Sequence, residues 1–163
     1  MTIRDTTVED AAAVAAMTNL VARERRFLAA TVGFSEEATR NFIAQLRSVD
    51  AVHIVAEIDG SLVGWCDIAP VTFEGMHHVG RLGMGVKRDF RGRGIGKRLL
   101  EAALLRGFGG RFERIELEVF SSNQMAVQLY ESVGFLLEGR KRAARKLDGM
   151  CDDLLIYAKL KET

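Results

Sequence analysis

The stretch from His77 to Phe120 constrains the fold more than any other. An extended run ends at Val86 and a turn rich in glycine and arginine follows. A helical pattern then occupies Ile95–Phe108, with Leu99, Leu100, Ala103 and Leu104 on one face, before Arg114–Phe120 is extended again. Two strands joined through a helix run parallel, because the crossover brings the chain back to the end of the sheet from which it set out. Elsewhere the sequence demands the opposite. Asp59-Gly60 separates the alternating run Val52–Ile58 from Ser61–Ile68, and Asp148-Gly149 separates Phe135–Arg145 from Met150–Leu160. Such pairs specify two-residue hairpins between antiparallel strands. Both demands are met by an α/β (α+β) fold with a central mixed, mostly antiparallel sheet and helices on both faces.

The remaining elements fit around this frame. A short strand at Thr2–Arg4 leads to Thr6 and Thr7, with Glu9 and Asp10 behind them, as the start of a helix reaching about Arg25. Ser35, Glu36 and Glu37 open a second helix that ends near Asp50 and buries Ala38, Phe42, Ile43 and Leu46. Asn123–Val133 is a helix closed by Gly134, and Pro70 marks an edge or a strand end. At 163 residues the chain has the length of about one domain. No Pro- or Ser-rich linker, internal repeat or low-complexity tract interrupts it, so one domain over 1–163 is expected. An apolar content of 48% with 28% charged residues excludes disordered, collagen-like and disulfide-scaffold classes. No apolar run approaches the ~20 residues that span a bilayer, and the first residues are acidic where a signal peptide is basic and then apolar. Cys66 and Cys151 lack a partner pattern and read as small core residues. A soluble, cytoplasmic protein is the expectation.

Charge is spread unevenly. Residues 1–80 hold 6 basic and 11 acidic side chains, whereas residues 81–163 hold 17 and 11. Most of the excess lies where Arg81, Lys87, Arg88, Arg91, Arg93, Lys97 and Arg98 face Asp89 alone, which predicts an anionic ligand. Ten of the 16 glycines fall between Gly75 and Gly110, most tightly at Gly92, Gly94 and Gly96. Glycines let backbone N–H groups converge on an anion, and a helix N-terminus adds about half a positive charge, so a pyrophosphate fits. A nucleoside-triphosphate loop would need Gly where Arg91 stands and Ser or Thr where Arg98 stands. A dinucleotide fingerprint would need G-x-G-x-x-G after the first strand, against G-x-G-x-G midway along this chain. An RNA-binding tract would need aromatic side chains on which bases stack, and Phe90 is the one it has. A plain helix cap with solvated arginines is the remaining alternative.

V-x-x-x-x-R-G-x-G-I-G, from Val86 to Gly96, resembles the acetyl-CoA signature of the GNAT superfamily of N-acetyltransferases. S-N-x-x-A-x-x-L-Y-x-x-x-G-F, from Ser122 to Phe135, resembles its second motif, in the expected order and separation. The most similar branch is the bacterial one holding ribosomal-protein N-terminal acetyltransferases and phosphinothricin-like amine acetyltransferases. Arg88 stands where family sequences often have proline, a departure that bears on the stiffness of the loop. The resemblance covers essentially the whole chain and implies an acyl-CoA N-acyltransferase fold with a splayed sheet. It implies acetyl-CoA as cosubstrate, no metal, and acetyl transfer to a primary amine of a small molecule or protein N-terminus by direct attack in a ternary complex. Nucleic acid and membrane are not expected as partners, and a homodimer is compatible with the family. By the same resemblance, Met84, Gly85 and Val86 offer backbone hydrogen bonds to the pantetheine arm and the thioester carbonyl. Arg91, Gly92, Arg93, Gly94, Ile95, Gly96 and Lys97 wrap the pyrophosphate, and Asn123 bonds the pantetheine end. Tyr130 lies near the thioester sulfur and Glu118 matches the position of the general base.

The chemistry is consistent with these assignments. A lysine-like amine of pKa about 10.4 is only about 0.04% neutral at pH 7, and an α-amine near 7.8 roughly one part in seven, so a base assists attack on a thioester. Glu118 shares a strand face with Glu116, opposite Ile115, Leu117 and Val119; an ordinary solvent-facing glutamate is the alternative. A tyrosine near pKa 10 serves better as an oriented donor to a sulfur gaining charge than as a full acid. His77 and His78 are the other candidate bases, of which one at most enters the cleft. The connection Arg26–Phe34 and the hairpin Phe135–Asp152 are the expected acceptor walls. Arg140, Lys141, Arg142 and Arg145 suit an acidic acceptor and Asp67, Asp152 and Asp153 a cationic one, so the sequence leaves the choice open. A non-catalytic acyl-CoA-binding or regulatory module is the alternative to an enzyme.

Overall fold

The periods read from the sequence translate into strands and helices in the expected order. The computed structural model describes residues 1–162. Its elements are β1 (Thr2–Asp5), α1 (Ala11–Arg23), α2 (Glu36–Ser48), β2 (Val52–Ile58), β3 (Ser61–Pro70), β4 (Val79–Val86), α3 (Ile95–Gly109), β5 (Arg114–Phe120), α4 (Gln124–Ser132), β6 (Leu136–Leu147) and β7 (Met150–Leu160). The seven strands form one sheet in the order β1-β2-β3-β4-β5-β7-β6. All neighbours are antiparallel except β4 and β5, the pair joined through α3. Both hairpin turns adopt the left-handed geometry that Asp-Gly favours, with φ of +49° and +75° at Asp59-Gly60 and +50° and +79° at Asp148-Gly149.

Helices cover both faces, as the burial of β2 and β3 requires. Ile54, Val63, Cys66 and Ile68 pack with Leu99, Leu100 and Ala103 of α3. Val55 and Trp65 point the other way, onto Met17 and Val21 of α1 and Ile43 of α2. Burying each such side chain stabilises the fold by about 1.5–3 kcal/mol before conformational entropy is counted. Ser35 caps α2 as expected, its Oγ accepting from the Ala38 N–H at 3.1 Å.

Departures from the sequence reading have local causes. α1 is preceded by a 3-10 turn, Val8–Asp10, because the Asp10 carboxylate accepts from the Thr7 N–H at 2.8 Å and pairs with Arg4 at 2.7 Å. α1 ends at Arg23 instead of about Arg25, which sits at φ +57°. β4 begins at Val79 instead of His77, since Glu74–Met76 form a 3-10 turn and His77 Nε2 lies 3.2 Å from the Thr72 carbonyl. Pro70 ends an interior strand. Cys66 is buried, but Cys151 is exposed, contrary to the expectation of a core residue. It pairs only with Lys146 in the part of the last hairpin that runs past β5, where no layer covers it. No helix among the described residues is long and apolar enough to cross a membrane.

One feature of the sheet positions the site. β4 and β5 are in register at Val79↔Arg114, Gly80↔Ile115 and Arg81↔Glu116, and then part. Beyond that point β4 stays with β3 as far as Val86, and β5 stays with β7 as far as Phe120. The sheet is splayed, and the facing edges of Leu82–Val86 and Leu117–Phe120 are left unpaired with each other.

Candidate active site

A cleft of about 360 Å³ fills the splay. Its floor is Leu82 to Val86 of β4. One end is the glycine-rich turn and the start of α3. The far wall is Glu118 and Val119 with Asn123, Ala126, Leu129 and Tyr130 of α4, and Val21, Phe27 and Leu28 close the side toward α1. A larger concavity of about 710 Å³ lies away from it, among Asp5, Arg47, Asp50, Leu105 and Arg106. Its two arginines are engaged, Arg106 with Asp5 at 3.2 Å and Arg47 with the Thr6 carbonyl at 2.9 Å, and none of the glycine-rich turn or Ser122–Phe135 motif residues lines it. The chemistry therefore belongs to the cleft in the splay.

The turn before α3 is built to receive an anion. Gly92 and Gly94 adopt φ of +73° and +75°, and Gly94 caps α3 with no side chain to occupy the first free N–H groups of the helix. The N–H groups of Gly92, Arg93 and Gly94 donate to no backbone acceptor among the described residues. Arg93 and Lys97 are exposed beside them. A phosphate-bearing ligand with a long arm suits these residues: phosphates at the α3 terminus and the arm along the free edge of Met84–Val86.

Arg91 is placed differently from its sequence assignment. Its guanidinium is bidentate to Glu24 at 2.8 and 2.6 Å, donates to the Val86 carbonyl at 2.8 Å, and lies 4.7 Å from the Phe27 ring centre. The side chain thus ties the turn to the end of α1 instead of facing the anion site, and Arg91 holds the Glu24 carboxyl below its ordinary range. Asn123 is partly committed as well, since its Oδ1 accepts from the Ala126 N–H at 3.3 Å as the cap of α4. Its amide nitrogen remains available as a donor.

Tyr130 and Glu118 meet the cleft from opposite faces of the sheet. Tyr130 belongs to the core under α3 and packs edge-on against Phe135 with centroids 5.9 Å apart. Burial, then the nearby Cys66, pushes its hydroxyl well above the usual tyrosine range, so it stays a donor. Glu118 projects toward the α1 face and pairs with Lys141 at 2.7 Å, both side chains about half exposed. His77 and His78 precede β4 at the end away from the cleft and are not brought to it. Their position follows from strand direction, because the splay opens only after Arg81.

The two expected acceptor walls meet. Arg25 pairs with Asp148 at 2.7 Å and Arg145 donates to the Arg26 carbonyl at 3.1 Å, so the last hairpin leans on the α1–α2 connection. The hairpin's charges are largely spent on one another, Arg140 on Asp153 and Arg145 on Asp152. The sequence therefore missed the Glu24–Arg91 tie altogether and did not distinguish Asp67 from Asp152 and Asp153. No residue type or spacing near either Glu24 or Asp67 marks it out. Among the described residues, no group of three or more His, Cys, Asp or Glu side chains is placed to hold a metal ion.

A splayed mixed sheet with a glycine-rich turn and a helix start at the mouth of the splay defines the acyl-CoA N-acyltransferase fold. Residues 15–135 match the Acetyltransferase (GNAT) family, and the chain belongs to that family. It is 35% identical over 112 residues to the N-alpha-acetyltransferase RimI of Mycobacterium tuberculosis, covering 66% of each protein. It is 30% identical over 109 residues to the L-amino acid N-acetyltransferase AaaT of Escherichia coli, covering 66% of this chain and 67% of that one. The matches thus span about two thirds of these curated relatives. The fold is shared with a phosphinothricin acetyltransferase from Sinorhizobium meliloti, solved in complex with acetyl-CoA, at a TM-score of 0.92 and 17% identity over 98% of this chain and 88% of that one.

Proposed function

We propose that this protein is an N-acetyltransferase that moves an acetyl group from acetyl-CoA to a primary amine of a small molecule or a protein N-terminus. One observation carries the reading: the splay has a glycine-rich turn opening a helix at one end and, across the gap, a buried tyrosyl donor on one face with a carboxylate on the other. Bound acetyl-CoA would supply the activated acyl group as a thioester. The N–H groups of Gly92 to Lys97 hold the phosphates, with Arg93 and Lys97 adding charge. The free edge at Met84, Gly85 and Val86 orders the arm as an added strand and fixes the thioester carbonyl. Asn123 donates to the arm from the far wall. Glu118 takes the proton of the incoming amine, directly or through water, and Tyr130 donates to the sulfur as charge builds on it. Attack is direct, within a ternary complex. Cys66, the register neighbour of Met84, is buried with its thiol pushed well above the ordinary range, which favours no acyl-enzyme. The same reading places one domain over 1–163 in the cytoplasm, in keeping with two free cysteines, and admits a homodimer.

The test is release of free thiol from acetyl-CoA in the presence of amino acids, polyamines, N-terminal peptides and lysine peptides. Amine-dependent release supports the reading, whereas binding of acetyl-CoA without release for any amine would favour a non-catalytic acyl-CoA-binding module. Glu118→Gln is expected to lower kcat/KM for the acceptor about 10-fold with the acetyl-CoA dissociation constant unchanged. A half-exposed carboxylate shared with Lys141 makes a modest base, and unchanged kcat/KM would remove Glu118 from the mechanism.

A further inference from the structure

Asp67 stands on β3, on the face that looks toward α1, two residues from Trp65, with His53 of β2 and Gly83 of β4 as register neighbours. His53 turns away from it, its Nδ1 lying 2.7 Å from Thr6 Oγ1 beside β1. Gly83 forms part of the cleft floor, and a Cβ there would lie 3.2 Å from Asp67 Oδ1 and 3.4 Å from Oδ2. The carboxylate thus rests against a stretch of floor that carries no side chain. No hydrogen bond or ion pair among the described residues reaches it, and burial alone pushes it up to about 7. Four carboxylates around the cleft and its walls are engaged, Glu24 by Arg91, Glu118 by Lys141, Asp152 by Arg145 and Asp153 by Arg140. Asp67 is partly buried, and a carboxylate held among apolar neighbours without a protein donor gains from the arrival of a cation. Gly83, which the carboxylate flanks, opens on the cleft beside Phe27 and Leu28.

We propose that Asp67 is the acceptor-binding carboxylate, seating the ammonium group of a cationic amine against Gly83 on the face of the cleft it shares with Glu118. The inference rests on the acetyl-transfer reading and narrows its substrate class. The acceptor is an alkylammonium, or a peptide N-terminus whose neighbouring carboxyl is an amide, with an apolar stem against Phe27 and Leu28. A free amino acid would bring its α-carboxylate beside Asp67 and is disfavoured by like charge.

The probe is butylamine, with butan-1-ol as the uncharged control and butyrate as the anionic one. In the full chain, butylamine is expected to shift the backbone amide resonances of Gly83 and Gly85 saturably, while the alcohol and the acid leave them in place. Asp67→Asn is expected to weaken butylamine binding and to raise the acceptor KM about 10-fold each. It should leave the KM of acetyl-CoA unchanged and melt no lower than the wild type, because the carboxylate lost has no partner. Gly83→Ala, which sets a methyl against an intact Asp67, is expected to weaken butylamine in the same way and gives an independent reading if the first variant misfolds. Equal binding of butan-1-ol, or an unchanged butylamine affinity in both variants, would overturn the proposal. Saturable, Asp67-dependent butylamine binding with no thiol release from acetyl-CoA would uphold this site and overturn acetyl transfer. Release that is insensitive to both substitutions would do the reverse.

Discussion

Tyr130→Phe is expected to lower kcat about 100-fold and to leave the dissociation constant of acetyl-CoA unchanged, read by steady-state kinetics beside calorimetric titration. The substitution removes one oxygen and keeps the ring that packs edge-on against Phe135. Stability should therefore fall by no more than about 1 kcal/mol, and the cleft keeps its shape. What is lost is a donor aimed where charge develops. Burial holds the Tyr130 hydroxyl well above the usual tyrosine range, so it remains a donor around neutral pH. A thiol near pKa 8.5 is a stronger acid than this phenol, so complete transfer to a free thiolate runs uphill. In the proposed mechanism the hydroxyl acts earlier, as a hydrogen bond that strengthens while the carbon–sulfur bond breaks. Loss of such an interaction appears in kcat and kcat/KM together. A kcat within twofold of the wild type would remove Tyr130 from the chemistry.

Much of this arrangement is legible in the sequence because it is written in local signals. Asp-Gly specifies hairpin turns whether or not the rest of the chain is known, and a helix crossover forces β4 and β5 parallel. Period decides which face each residue takes, which is how Glu118 falls opposite Leu117 and Val119. Partners distant in sequence are not local signals. Arg91 reads as a phosphate ligand because it stands among glycines and arginines, yet its guanidinium finds Glu24, 67 residues away. Nothing in Arg-Arg-Phe or Arg-Gly-Arg-Gly announces that pair. His77 and His78 are candidates by side-chain chemistry alone, and the direction of β4 carries them to its wrong end. Asp67 is the converse case. As one acid among several it carries no weight in sequence, and it becomes distinctive only when Asp152 and Asp153 are seen to be paired and Gly83 leaves it uncovered.

Replacing both Gly92 and Gly94 by alanine is expected to weaken acetyl-CoA about 30-fold or more and to change kcat at saturation less than twofold. A Cβ at either position meets nothing within 4 Å, so the effect cannot come from a clash with the protein. It comes from the backbone, which holds φ of +73° and +75° there. An alanine in the left-handed region costs about 1–2 kcal/mol at each site. If the turn bears that strain, the bound state loses it from the affinity only insofar as the free turn relaxes. If the turn relaxes to negative φ, the N–H groups cease to converge and must be driven back by the ligand. Gly60 separates a loss of affinity from a loss of stability. It sits at φ +75° in a hairpin far from the cleft, also with nothing within 4 Å of its Cβ position. Gly60→Ala is therefore expected to lower the melting temperature like either single replacement while leaving acetyl-CoA binding untouched. Equal weakening by Gly60→Ala would trace the effect to global destabilisation. Undiminished binding in the double variant would mean that the turn does not hold the phosphates. The opposite kinetic signatures expected at Tyr130 and at this turn follow from the places proposed for them at the two ends of the same arm, one at the reacting sulfur and one at the phosphates.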